Sequence, residues 1–436
     1  MQFEQIYPVI PGGMRVELPP LAPAAQLFSR RQIIDLDAEM DRFSPLLDSL
    51  PLQGQRIAIT AGSRGIPDYV AILRQLVLRL QQRGAEPFIV PAMGSHGGAT
   101  ARGQENVLQD YGVNEQSTGA PIRASMETVQ VGRLPDGTAL HTDRFAAEAD
   151  GIILFNKVKP HTAYKAPIES GLAKMLVIGL GKHNGARALH EHRFDVFADR
   201  VMQAARVLLN RLPILFGLAV VENAWGRPAI LETVTPDRLM ETETGLLVEA
   251  KQIMGRLLMS EIDVLIVDRI GKDVNGAGMD PNVTGRPSNH AAGFAAPPID
   301  KIVVLGLTRA SHGNGAGIGN ADFTTVGCVQ QLDFQSMYTN VFSARVMQGA
   351  KLPVVLPDDY HAIAAAVLTC NRRDPKFARI VRIVNTKNLH RIHVSPQVLK
   401  DSAAPGMLEQ GGPFAPLRFD SAGNLVDDAD KIGSSV

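Results

Sequence analysis

The feature that most constrains the fold is a repeated change of hydrophobic period. Between positions 56 and 94 a short apolar run, RIAIT (56–60), gives way to a helical pattern, YVAILRQLVLRLQQRG (69–84), and then to a second apolar run, PFIVPAMG (87–94). Apolar runs rich in β-branched residues, with no polar alternation, suit strands buried on both faces, and an intervening helix makes such strands parallel. Gly84 is a normal stop for the helix. The same grammar returns in GIILFN (151–156), LFGLAVVEN (215–223), DVLIVDRIG (263–271), KIVVLGL (301–307) and LPVVLP (352–357). The expected class is therefore α/β, with mainly parallel sheets covered by helices. A chain of 436 residues exceeds what one core organises, which predicts two domains of roughly 150 to 250 residues. The charge-mixed helical stretch 236–260 precedes the strand at 263, so the boundaries are expected at 1–258 and 259–419, with a flexible polar tail over 420–436.

Composition excludes several classes. Lys+Arg and Asp+Glu both number 44, so the broad positive field needed for nucleic acid is missing. Cys328 and Cys370 are too few for a disulfide framework and match no zinc or redox spacing, so both read as core thiols. The start, MQFEQIYPVIPGG, lacks the charge and apolar stretch of a signal peptide, and no run reaches the ~18 apolar residues of a membrane span. A cytoplasmic protein without a membrane partner is expected, with homo-oligomerisation left open.

In open α/β sheets ligands collect beyond the carboxyl ends of the strands, so the loops there carry the candidate chemistry. The first, TAGSRGIPD (60–68), offers small residues and Arg64, a setting for phosphate or carboxylate at a helix start. A tight connection with a solvated arginine explains it equally well. The second, MGSHGGAT (93–100), puts His96 among glycines, where it is either a proton carrier or a hydrogen-bonded surface residue. The third, 156–194, gathers His161, His183, His190 and His192 with Lys157, Lys159, Lys165, Lys174 and Lys182 just after a buried strand. Lys174 lies in apolar GLAKMLVIG, where desolvation would depress its pKa and favour a nucleophile or covalent anchor; a snorkelling lysine is the alternative. His190 and His192 cannot share a metal from one helical face, although either could be a single ligand. Later, 267–287 clusters Lys272, Asp273, Asn275, Asp280, Asn282, Thr284 and Arg286, a set able to orient a small polar ligand. GNGAGIGN (313–320) superficially matches a dinucleotide loop, but a close-packed turn fits it better.

Taken in order, these loops resemble the lactate racemase family, nickel-pincer-nucleotide-dependent racemases and epimerases of 2-hydroxy acids. The likeness spans about residues 55–195, with a looser match from about 260 to 345. The family's D-x-T-R-P-x-P motif corresponds to AGSRGIP, keeping Arg64 and Pro67; its G-x-H-R-P motif to GSHGG, pointing to His96; its E-P-H motif to Lys159-Pro160-His161. A family lysine in a G-G-R-K-S context matches Lys174 in SGLAKML, and the sixteenth residue after it is His190. Ala61 replaces the family's aspartate, glycine follows His96, and GMDPNVTGR stands where the family has its Tyr-Gln and lysine contacts to lactate.

The resemblance implies an isomerase that inverts C2 of a 2-hydroxy acid by proton-coupled hydride transfer to a nickel-pincer nucleotide (pyridinium-3,5-bisthiocarboxylic acid mononucleotide nickel). It implies His96 and His161 as acid/base groups, Lys174 as the tether and His190 as the nickel ligand. Gly62, Ser63, Arg64 and Ser170 would contact the cofactor, and Arg64, Lys272, Asp273, Asn275, Asp280, Asn282 and Thr284 the substrate. The N-terminal domain would bind the cofactor and the C-terminal domain would close over the substrate, with the active site in the cleft between. Two other readings are a nucleotide-dependent oxidoreductase using the glycines near 313–319, and a non-catalytic cofactor-binding protein.

Overall fold

The computed structural model describes residues 13–190, 194–372, 374–401 and 406–426, without the side chains at 190, 194 and 195. Contacts divide the chain into two compact units, Arg30–Met254 and Met1–Ser29 with Gly255–Val436. The first strand, β1 (Ala22–Gln26), thus lies in the unit formed by the end of the chain and not with residues 30–254, where the boundary at 258 had grouped it.

The unit Arg30–Met254 is built on β2 (Arg56–Ala61), β3 (Glu86–Pro91), a separate hairpin of β4 (Thr128–Arg133) and β5 (Ala139–Asp143), then β6 (Gly151–Lys157), β7 (Ile214–Glu222) and β8 (Pro228–Val234). Its main sheet has the order β3-β2-β6-β7-β8, parallel except for β8, which pairs antiparallel with β7. The apolar runs are continuous because both faces are covered. Ile57, Ile59, Ile153 and Phe155 pack on helix Tyr69–Gln81, while Ala58, Ile152 and Leu154 share a core with Phe197, Val201, Leu246 and Leu247 from helices Phe194–Leu209 and Leu239–Ile253. Each buried branched side chain contributes about 1.5–3 kcal/mol. The chain leaves β2 for β3 on one side and later returns to β6 on the other, so the order reverses at β2. Such a reversal opens a crevice at the carboxyl ends of the two strands.

The other unit contains β1 together with β9 (Ile262–Val267), β10 (Ile299–Val304), β11 (Phe323–Thr325), β12 (Val354–Leu356), β13 (Ile380–Ile383), β14 (Arg391–Val394) and β15 (Leu408–Gln410), in the order β12-β11-β10-β9-β13-β14-β1-β15. The first five in that order are parallel; β14, β1 and β15 extend the sheet antiparallel. The Ala-rich helix Asp359–Thr369 covers one face. Cys328 and Cys370 are both buried free thiols. The start of the polar tail is folded: Leu425 N–H donates to Asp359 Oδ2 at 2.9 Å and Tyr360 N–H to Gly423 O at 3.0 Å. Residues 427–436 of that tail lie outside the described residues.

The glycine run at 313–320 forms no phosphate cradle. A Cβ on Gly317 would lie 1.9 Å from Ala277 O, and one on Gly278 2.2 Å from Ala316 O, so two loop backbones interlock there. Only the three-residue turn Ile318–Asn320 follows, which supplies no helix N-terminus of the kind a dinucleotide needs.

Candidate active site

Three segments leave the carboxyl ends of β2, β3 and β6 and converge at the reversal point. From β2 come Gly62, Ser63 and Arg64. Tyr69 Oη donates to Gly62 O at 3.1 Å, and a Cβ on Gly62 would press Met175 Cε at 3.0 Å, so this turn is held against the segment that carries Lys174. Arg64 is exposed, and no hydrogen bond or ion pair engages its guanidinium among the described residues.

After β3 the chain makes a turn in which Gly97, Gly98 and Ala99 all take left-handed backbone (φ 65°, 64° and 54°). This turn brings His96 Nδ1 against Ser63 Oγ. The residue keeps an exposed face. Loss of solvent around the ring, followed by the positive charges of Arg64 and Lys174, pushes its pKa down to about 4. His96 is therefore a neutral imidazole at pH 7, able to accept a proton.

After β6, His161 is clamped by its own backbone. Its N–H donates to Glu169 Oε2 at 2.6 Å, and its ring stacks on Tyr164 with centroids 4.3 Å apart. The buried Glu169 carboxylate also meets Lys165 Nζ at 3.1 Å and Lys251 Nζ at 2.6 Å. Ser170 exchanges backbone hydrogen bonds with Lys159, at 2.9 and 3.2 Å, closing the loop.

Lys174 ends the short helical turn Leu172–Lys174, and a π-helical turn, Met175–Gly179, follows it. π turns recur at functional sites because they redirect one side chain out of the α repeat. The turn is capped from a distant helix: Glu243 Oε2 accepts Ala173 N–H at 2.8 Å, and the Leu172 N–H also bonds this carboxylate. Gly171 makes this approach feasible, since a Cβ there would sit 2.2 Å from Glu243 Oε1. Burial, opposed by those two N–H groups, raises Glu243 to about 7.

Lys174 Nζ lies 2.6 Å from His161 Nε2. His161 Nδ1 accepts the Ala163 N–H at 3.0 Å, so in the neutral ring the proton sits on Nε2, which must then donate to Lys174 Nζ. An amine that accepts a hydrogen bond is unprotonated. Desolvation, with the charges of Lys159 and Arg64 behind it, points the same way and lowers Lys174 to about 7.

Of the clustered lysines, Lys157 pairs with Glu222 at 2.7 Å, Lys165 with Glu169, and the fully buried Lys182 with Asp143 at 3.3 Å. His183 is exposed. The side chain of His190, the expected nickel ligand, and all of His192 lie outside the described residues. Among the described residues no three His, Cys, Asp or Glu side chains gather as a metal cage.

The expected substrate-contact set lies in the other unit, where its polar atoms largely bond one another. Lys272 Nζ donates to Asn340 Oδ1 at 2.7 Å, Asp273 accepts from Thr308 Oγ1, and Asn275 Nδ2 donates to Asp280 Oδ2 at 2.9 Å. Asp280 caps the turn Pro281–Thr284 by accepting Asn282 N–H at 2.8 Å, and its carbonyl accepts the Thr284 hydroxyl at 3.3 Å. Arg286 pairs with Asp322 at 2.6 Å. These contacts build the loop.

Glu169, Tyr164, Glu243 and Gln104 carry no assignment from sequence. Glu169 and Tyr164 fall within the polar segment 156–194, which is a signal of place only; Glu243 sits on a distant charge-mixed helix and Gln104 on a polar one.

The fold and the site together define an α/β protein with a cationic, histidine- and lysine-bearing crevice at a sheet reversal. Residues 45–200 match the family described as lactate racemase N-terminal domain. No curated protein matches the chain. Similar solved structures include a Thermotoga maritima protein (13% identity, 78% of this chain and 84% of that chain, TM-score 0.47). Another is the lactate racemase apoprotein of Thermoanaerobacterium thermosaccharolyticum (14% identity, 85% of each chain, TM-score 0.45). No helix among the described residues is long and apolar enough to cross a membrane.

Proposed function

We propose that the protein is a racemase or epimerase acting at C2 of a 2-hydroxy acid, with a nickel-pincer nucleotide anchored at Lys174. The observation that carries this reading is the Lys174–His161 pair, 2.6 Å apart in a crevice where the charges bearing on Lys174 and His96 are positive. An unprotonated amine is what a covalent link through nitrogen requires, so Lys174 fits the anchor. Gly62, Ser63, Arg64 and Ser170 would line the nucleotide, and His190 would supply the protein's nickel ligand. When bound, the cofactor supplies an acceptor for the C2 hydrogen with its electron pair, which spares the protein a carbanion.

The chain's own residues handle the anion and the proton. Arg64, exposed and without a partner among the described residues, suits a carboxylate or phosphate through its two-pronged donor face. Two enantiomers present their hydroxyls in different directions, which calls for two bases, His96 and His161. The two are not equivalent. His96 is held neutral, with Nδ1 on Ser63, whereas His161 carries its proton on Nε2 and must give up the Ala163 N–H before Nε2 can accept another. Lys272, Asp273, Asn275, Asp280, Asn282 and Thr284 are assigned no step.

The test uses protein produced with the cofactor pathway and a panel of aldonic, dicarboxylic and aromatic 2-hydroxy acids, read by stereochemical outcome and C2 hydrogen exchange. His96→Gln and His161→Gln should each lower interconversion by about 10²–10⁴-fold while the intact mass keeps the adduct. Full turnover in both variants refutes the assignment. An adduct mass that survives in Lys174→Ala refutes the anchor.

A further inference from the structure

We propose that Gln104, braced by the buried Lys182–Asp143 pair, is a positioning residue for His96. Gln104 lies on helix Ala101–Asp110, just beyond the His96 turn, and is fully buried. Its Nε2 donates to Gly94 O at 2.9 Å and to His96 O at 3.3 Å, which places both N–H bonds on the turn itself. Its Oε1 accepts from Lys182 Nζ at 3.0 Å. Carbonyl oxygens only accept, so the amide cannot be reversed: Nε2 must face Gly94 O and His96 O, which leaves Oε1 facing Lys182.

Lys182 is itself built in. It is completely buried, holds a left-handed backbone (φ 52°), donates to Pro91 O at the end of β3 and is ion-paired with Asp143 Oδ2 at 3.3 Å. Two neutral oxygens and one carboxylate thus surround Nζ. Asp143 Oδ1 in turn accepts Ala146 N–H at 3.0 Å. A line of buried polar groups thus runs from Asp143 through Lys182 and Gln104 to the His96 turn. A fully buried lysine is costly, and none of the steps assigned to the site uses it.

The turn needs such a brace. Three successive left-handed residues, including Ala99, cost about 1–3 kcal/mol where a Cβ is present, and Gly97 packs so tightly that a Cβ would lie 2.5 Å from Gly103 C. A second tie, Gly94 N–H to Gly179 O at 3.2 Å, joins the turn to the π turn after Lys174. Between them the two ties set where the His96 ring stands relative to the groups that face it: Ser63 Oγ, Arg64 and Lys174.

The assignment of a catalytic consequence rests on reading His96 as a base; the geometric claim does not, and the experiment separates them. Full-length wild-type, Gln104→Leu and Gln104→Glu proteins are labelled with ¹³C-histidine, and the His96 resonance, identified by its loss in His96→Gln, is followed against pH. Leucine removes both N–H donors; glutamate keeps the acceptor for Lys182 but turns a carboxylate toward the two carbonyls, so it carries the test if the leucine variant does not fold. Expected is an upward shift of the His96 titration by a unit or more in the folded variant, as the ring leaves its cationic surroundings. In active holoenzyme kcat should fall about 10- to 100-fold with little change in KM, as misplacement of a reacting group predicts. A His96 titration identical to wild type in a folded variant overturns the proposal, whatever the activity. A shifted titration without any isomerase activity in wild type upholds the brace and rejects the isomerase reading.

Discussion

Replacing Lys174 by Met should make the protein more stable at neutral pH, and the gain should shrink as pH rises. The folded-state pKa of Lys174 is lowered from 10.5 to about 7, first by burial and then by Lys159 and Arg64. Between these values the unfolded chain binds the proton and the folded chain does not, so wild-type stability rises with pH across this window. Integrating at 1.36 kcal/mol per unit gives a penalty of about 4 kcal/mol at pH 7 and about 2 kcal/mol at pH 9. Methionine matches much of the apolar stem and has nothing to titrate. The difference between the two proteins should therefore narrow by about 2 kcal/mol over that interval, whatever constant term the lost contact with His161 adds. Trp225 is the only tryptophan and lies in the unit Arg30–Met254 with Lys174, so its fluorescence in urea reports that unit's unfolding. With a urea slope of about 2–3 kcal/mol/M, the midpoint gap should close by about 0.7–1 M between pH 7 and pH 9. Parallel stability curves for the two proteins would show that Lys174 is protonated in the folded state, and would remove the hydrogen-bond argument for a neutral amine.

Glu243→Gln should flatten the dependence on the acid side. Its pKa is raised from 4.5 to about 7 by burial, so the wild type's advantage is complete below about 4.5 and is lost as pH climbs through 7, a change of about 3 kcal/mol in all; the same Trp225 measurement at pH 5 and pH 7.5 should show about 2 kcal/mol of it, and an unchanged slope contradicts the burial argument. Gly317→Ala should destabilise the other unit by about 2–4 kcal/mol, because φ there is 109° and the new Cβ meets Ala277 O at 1.9 Å. Hydrogen exchange across residues 270–320 reads the loss, and unaltered protection would mean that the two loops do not interlock.

Most of the strands that the sequence revealed are buried on both faces, β12 with its exposed Val354 being an exception. Ile57 to Ile59 and Ile152 to Phe155 alternate between two cores, and each position is apolar for its own reason. Several strands that stayed hidden interrupt the apolar run, and β8 stayed hidden although most of it is buried. β4 is half exposed along its length, β13 contains Arg382 inside a buried run because Asp268 Oδ1 accepts its Nε at 2.9 Å, and β1 is a Pro/Ala segment whose partners β14 and β15 lie near the other end of the sequence. Ladder pairing between such distant segments leaves no local period to read.

The site divides along the same line. Arg64, His96 and His161 follow strand ends closely, and Lys174 lies further along the segment after β6, where sequence order and spatial order still coincide. The groups that hold them come from elsewhere: on helix Leu239–Ile253, Glu241 is exposed and Glu243 is buried against the Lys174 turn, yet in METETG the two are indistinguishable. The lysines make the strongest case. In sequence, Lys157, Lys159, Lys165, Lys174 and Lys182 form one basic cluster. In the structure three of them are paired with Glu222, Glu169 and Asp143, while Lys174 faces an imidazole. Burial first, and then the charges of Lys159 and Arg64, lower the Lys174 pKa to about 7. The charge balance around Lys174 thus arises from pairing three of its neighbouring lysines with carboxylates, a cancellation set by long-range contacts and therefore not written in the spacing of the residues.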